Sequence, residues 1–192
     1  MTTRLIDPIL HDPLPIEGRF PPLFALLGAH GGSGAGTLAR VWAPAVDTNG
    51  QWPANPHTTQ RVLIVAREHM AGVAAAADLL RAADAGHLPP GVRVHGLVLV
   101  AAHPGKPEKS VRRYADTVSE LAPHTYRVPW CSAFLSLLPS QLPSWKPSDG
   151  IKITKASRDG ALASVPSAIA VVGDQICRDL DATRTISDSE EF

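Results

Sequence analysis

Four stretches of nearly unbroken apolar character divide the chain: Leu23 to Leu27, Arg61 to Ala66, the centre of Val92 to Ala101, and Thr125 to Val128. Unbroken runs, rather than alternating ones, mark strands buried on both faces, the habit of parallel sheets covered by helices. Segments of helical character separate them. Thr37 to Ala43 stops at Pro44. Glu68 to Ala85 carries Val73, Ala77 and Leu80 along one face and ends at Gly86 and Pro89-Pro90. Ser110 to Leu121 has Ser110 as its expected N-cap and Pro123 as its stop. Strands alternating with helices of this length predict βαβ units. The expected fold is a three-layer α/β domain over residues 23–138, a mostly parallel sheet of four or more strands with helices on both faces.

The flanks read differently. Residues 1–22 carry five prolines among scattered apolar residues, so they predict an extended arm lying across a surface. Residues 44–60 read as a polar, proline-rich loop, and 139–165 as a proline-rich linker. From Pro166 to Ala182 a helix is expected, with proline in its first turn. Val165, Ile169, Val172, Ile176 and Leu180 fall at spacings of four, three, four and four, an apolar stripe that must be covered. It either docks on the parent domain or offers itself to a protein partner or a second copy. Residues 183–192 are polar and acidic, and a disordered tail is expected.

Charge and cysteine content narrow the classes. Eighteen basic residues balance eighteen acidic ones, so no electrostatic case for nucleic acid arises. Cys131 and Cys177 are isolated and match neither zinc nor redox spacing. The first 22 residues lack the layout of a signal peptide, and no stretch approaches the ~18 apolar residues of a membrane span. A cytoplasmic protein is expected.

Candidate chemistry sits after the first strand. His30-Gly31-Gly32-Ser33-Gly34-Ala35-Gly36-Thr37 is too rich in glycine for helix or strand, and a helix opens behind it. A strand, a glycine turn and a helix together form the layout in which backbone amides cradle phosphate. Carboxyl ends of strands are also where α/β proteins bind ligands. His30, Gly31, Gly32, Ser33, Gly34, Ala35, Gly36 and Thr37 are therefore the candidate binding residues. Arg67, ending the second apolar run, joins them as a potential phosphate partner. The alternative for Arg67 is a salt bridge with Glu68. His103, Lys106 and Lys109 border another strand-to-helix turn and would extend a weakly basic rim. Trp130 would stack on a base or pack internally.

From His30 to Leu38 the sequence resembles the deviant phosphate loop of the ParA/MinD-type ATPases, K-G-G-x-G-K-[ST]-[ST]. The resemblance continues weakly through Val62–Arg67, Val94–Val100 and Tyr126–Trp130, and the plan is similar to that of small actinobacterial proteins. It implies ATP, ADP or a phosphate-like anion as ligand. The departures are chemical. Where the family has its two lysines this chain has His30 and Ala35, and Gly36 stands where the magnesium-binding hydroxyl belongs. Between Trp42 and Arg61 the family's acid-bearing strands have no room, and Asp47 is the only acid. Phosphoryl transfer depends on charge stabilisation by such groups. No catalytic residue and no magnesium binding are expected. A non-hydrolytic adaptor or weak nucleotide-binding module is the leading expectation. The alternatives are an NTPase completed by a partner or second subunit, and an NADP-binding Rossmann-like domain. The latter draws on Gly34-Ala35-Gly36-Thr37-Leu38-Ala39 as a G-x-G-x-x-[GA] pattern, with Arg67 placed at the end of the second strand.

Overall fold

In a computed structural model, the structure describes residues 8–16, 18, 20–151 and 163–190. Parts of the expected arm, linker and tail (1–7, 17, 19, 152–162 and 191–192) lie outside the described residues. The elements in chain order are β1 (Ile9–Leu10), β2 (Phe24–Gly28), α1 (Ala35–Val41), β3 (Ala45–Asp47), β4 (Trp52–Pro53), β5 (Arg61–Arg67), α2 (Met70–Asp84), β6 (Arg93–Val100), α3 (Lys109–Ser119), β7 (Thr125–Val128) and α4 (Ser167–Glu190).

The core is a five-stranded parallel sheet in the order β3-β2-β5-β6-β7. Along β2, β5 and the centre of β6 alternate residues serve opposite layers, which is why those runs are apolar throughout. Phe24, Leu26, Leu63, Val65, Val98 and Val100 face a layer built with α1 and α4. Ala25, Leu27, Val62, Ile64, Leu97 and Leu99 face one built with α2 and α3. Helices on both faces of a parallel sheet give the three-layer α/β architecture.

Several segments depart from their sequence reading. The loop expected over 44–60 contains β3, which pairs with β2 in the register Leu26↔Asp47 and makes the fifth strand. Thr48 fixes its exit by sending both its amide and its hydroxyl to the Leu26 carbonyl. The arm does lie on the domain: β1 pairs in parallel with β4, and Leu14 is buried among the α2-side residues. The 139–150 part of the expected linker is a strap of short 3-10 turns that packs on the domain. Trp145 is its anchor, buried and bridged to Trp42, with the Ala43 amide donating to its carbonyl and its own amide donating to Val41. Ser110 is not a cap; α3 begins one residue earlier behind Glu108.

The C-terminal stripe docks on its own domain. Val165, Ile169, Ile176 and Leu180 join the same cluster as Trp42 and Trp145, with Val172 packed at its edge. The face that suggested a partner surface is thus covered from within. The helix continues to Glu190, through most of the tail expected to be disordered, because neither glycine nor proline follows Gly173 to stop it. Among the described residues no helix is long and apolar enough to cross a membrane.

Near the opposite sheet end from the glycine turn, His95 on β6 is buried and its Nε2 has no hydrogen-bond partner among the described residues. Its ring centroid lies 4.9 Å from that of His124. Burial first, then the neighbouring His124, push its pKa below the usual 6.5; Asp179 opposes them, and Arg61 adds the least push in the same downward direction. The folded state therefore resists protonating a group that the unfolded chain protonates readily. Stability is complete above about pH 6.5 and falls as the pH drops through that value towards the lowered folded-state pKa. Urea midpoints measured between pH 7.5 and 5.5 should show this slope in the native chain, and a shallower one in His95→Leu.

Candidate functional site

In sheet order, the strand after α1 lies outside the glycine-turn strand, and the next strand lies on its other side. The chain therefore reverses direction between β2 and β5. Ligands of doubly wound α/β proteins bind at such a reversal, beyond the carboxyl ends of the strands. Here the glycine turn leaves β2, and Arg67 ends β5, one on each side of the reversal.

The turn is held by its own small residues. Gly28 has no room for a side chain, since an added Cβ would sit 2.7 Å from Ser33 Oγ. Ser33 folds back there, buried, and its Oγ accepts from the Ala35 amide at 3.3 Å. Gly32 and Gly34 take positive φ values of 79° and 103°, which residues with a Cβ rarely adopt. Among the described residues the amides of Gly32, Gly34, Gly36 and Thr37 have no hydrogen-bond partner. Orphan backbone donors at the wall of a cavity are donors for a ligand. With α1 only seven residues long, the loop amides rather than a long helix dipole carry this argument.

The cavity beside the turn measures about 650 Å³, and residues 30–37, Arg40, Asp47 and Arg67 all line it. The structure thus brings every sequence-predicted binding residue to one place. Arg67 is held by two carbonyls: Nε donates to Gly32 at 3.1 Å and Nη1 to Ala101 at 2.9 Å. Its remaining amino group, Nη2, has no partner among the described residues. The alternative salt bridge does not form, because Glu68 pairs with Arg127, which also reaches Asp116 at 2.7 Å.

His30 has a different role from the one its position suggests. Its Nε2 accepts the Arg67 amide at 3.2 Å, so the hydrogen sits on Nδ1, 2.9 Å from the Gly31 carbonyl. Both ring nitrogens are spent on joining the turn to the end of β5. The ring lies 5.3 Å from that of His69, whose Nδ1 caps α2 by accepting the Gly72 amide. Gly72 leaves space for this brace: an added Cβ would meet the Arg67 carbonyl at 2.4 Å and His30 Nε2 at 2.8 Å. Gly72→Ala gains about 1 kcal/mol of helix propensity but incurs about 1–3 kcal/mol of overpacking. Because the main clash is with backbone, a lower melting temperature is expected, together with weakened anion binding as Arg67 is displaced.

Two residues at the cavity were not anticipated as binding groups. Arg40 lies one helical turn beyond Thr37 and makes no ion pair among the described residues. Asp47 ends β3, and its Oδ1 accepts the Asn49 amide at 2.9 Å, while Oδ2 lies 3.0 Å from where a Cβ on Gly36 would sit. The Rossmann-like expectation counted Arg67 as the end of the second strand; the second strand of the sheet is β3, and it ends in an acid. Two guanidinium groups and one carboxylate line the cavity, so its charged side chains sum to a positive charge. Among the described residues no three His, Cys, Asp or Glu come together in a group that could hold a metal ion. His103, Lys106, Lys109 and Trp130 do not line the cavity.

Fold and site together define a parallel three-layer α/β protein with a cleft at the reversal point of its sheet. The chain belongs to a family of unknown function, DUF6668, which matches residues 23–144 and so includes the glycine turn, Arg67 and the start of the strap. No curated protein and no solved structure matches the chain.

Proposed function

We propose that the protein is a non-hydrolytic phosphate-binding module, a degenerate relative of the ParA/MinD-type ATPases. The phosphoryl end of the ligand rests on the free amides of Gly32, Gly34, Gly36 and Thr37, and Arg67 supplies the positive charge that the loop itself lacks. The observation that carries this reading is the Arg67 guanidinium, tied to Gly32 and Ala101 with Nη2 left over at the cavity wall. A guanidinium already fixed in place binds an oxyanion without the entropy cost of ordering a free side chain. Phosphoryl transfer needs more: a positive charge gripping the leaving phosphate and a metal at the transferring oxygens. Neither the loop nor Asp47 alone supplies both.

Calorimetric titration with pyrophosphate tests the reading. A dissociation constant of about 10 µM to 1 mM, some 4–7 kcal/mol, is expected without added metal. ATP incubated with the protein and magnesium should remain intact. Absence of pyrophosphate binding sinks the proposal, and steady ATP turnover by the protein alone sinks its non-hydrolytic part. One observation favours a second reading, an NTPase completed by another subunit: Asp47 leaves Oδ2 beside the loop, where a metal held jointly with a partner's ligands would sit. That reading predicts turnover only in the presence of the partner.

A further inference from the structure

The chain between β7 and Trp145 is fastened at its two ends. At one end the Ala101 amide donates to the Val128 carbonyl; at the other the Trp145 amide donates to Val41 and the Ala43 amide to Trp145. Among the described residues no hydrogen bond joins residues 129–144 to another segment. Their bonds are local: the Phe134 amide donates to Cys131, the Gln141 amide to Leu138, and the Leu138 amide to Gln141 Oε1 at 2.8 Å. Cys131, Phe134 and Leu142 rest half-buried on the core layer of α1 and α4. Between Phe134 and Leu142 the residues are exposed apart from Leu137, and Leu135 and Leu138 show 73% and 65% of their surface to water.

This exposed tip stands at the cleft. Pro139, next to Leu138, and Leu142, at the base of the tip, line both the cavity beside the glycine turn and a second one of about 630 Å³ adjoining it. Resting on the anion-binding reading above, we propose that residues 135–141 are a lid that closes over a bound anion and takes Leu135 and Leu138 out of water. Charge sets the order of events. Closing over Arg40, Arg67 and the free amides of the turn with no anion present would remove unpaired donors from water, which is costly. An oxyanion pairs those donors, and the apolar surface of two leucines then favours closure. A ligand that interacts better with the closed arrangement shifts the equilibrium towards it. The turn from Leu138 to Gln141 moves as one piece, because two hydrogen bonds of its own close it, and the residues flanking it absorb the change in backbone angles.

Hydrogen exchange read by mass spectrometry, with and without saturating pyrophosphate, tests the lid in the native chain. Peptides covering 135–141 should exchange quickly in the free protein through local motion, so a general gain in stability from the ligand does not slow them. Closure does slow them, by about tenfold or more. Leu135→Ser combined with Leu138→Ser removes the apolar gain from closure and leaves Arg40, Arg67 and the glycine turn in place. By calorimetry that variant should bind pyrophosphate roughly fivefold more weakly or worse. Leu121→Ser, at a leucine 46% exposed that lines neither cavity, should keep the native affinity. Pyrophosphate binding with unaltered exchange of residues 135–141, native affinity in the double serine variant, or an equal loss in Leu121→Ser overturns the lid and leaves the anion site standing. Failure of pyrophosphate to bind the native chain overturns the anion site and the lid with it.

Discussion

Arg67→Ala is expected to weaken pyrophosphate binding by roughly tenfold to a hundredfold, the equivalent of about 1.5–3 kcal/mol for a charge-assisted hydrogen bond. The side chain touches backbone carbonyls rather than acids, so no buried partner charge is stranded when it is removed. Folding stability should therefore change little while affinity falls. Arg67→Lys separates charge from geometry. An ammonium keeps the charge but cannot contact Gly32, Ala101 and a ligand through one planar fork, so most of the affinity should still be lost. Full affinity in Arg67→Lys would show that charge alone matters. Unchanged affinity in Arg67→Ala would remove Arg67 from the site. Raising the salt concentration offers an independent check, because attraction between a partly exposed guanidinium and an anion is screened.

What the sequence disclosed and what it hid follow from chain distance. The strands β2, β5 and the centre of β6 were legible because each is buried on both faces and carries its own apolar run, whereas the edge strand β7 buries only Tyr126 and Val128 and exposes Arg127. The stripe on α4 was legible because a helix writes its buried face at intervals of three and four residues, although the stripe could not say whose surface covers it. β3 was hidden. Three residues between Pro44 and an Asn49-Gly50 turn carry no strand signal; pairing with β2 makes them a strand, and that pairing is not local. The same pairing brings Asp47 to the cleft, so an acid that looked stranded in a loop faces the glycine turn. The strap was misread for a related reason. Three prolines speak for a linker, but Trp145 and Leu142 pack against residues a hundred positions earlier. His30 shows the limit at the site itself. Its Nδ1 meets the carbonyl of the adjacent Gly31, but the partner that gives the ring its bracing role, the Arg67 amide, belongs to another strand.

Trp42→Ala should produce the largest loss of stability, about 3–5 kcal/mol for deleting a fully buried aromatic side chain. Trp42 is entirely buried and ties three segments together: it packs edge-on against Phe24 with centroids 6.5 Å apart, bridges Trp145 of the strap, and donates Nε1 to the Ile169 carbonyl on α4 at 3.1 Å. A drop in melting temperature of roughly 10 °C is expected for a chain of this size. Trp42→Phe isolates the hydrogen bond from the volume and should cost less. The sharper test pairs Trp42 with Gly173. A Cβ at Gly173 would meet Trp42 Cδ1, Trp42 Nε1 and Trp145 Cζ3, each at 2.8 Å, so Gly173→Ala in the native chain overpacks this contact by about 1–3 kcal/mol. With Trp42 removed, two of those three clashes vanish and the alanine improves the helix by about 1 kcal/mol. Gly173→Ala should thus destabilise the native chain yet be neutral or stabilising in Trp42→Ala, a coupling readable from urea midpoints in a double-mutant cycle. Additive losses would mean that α4 does not pack on Trp42 through Gly173, and the closure of the sheet's α1 face by the C-terminal helix would have to be abandoned.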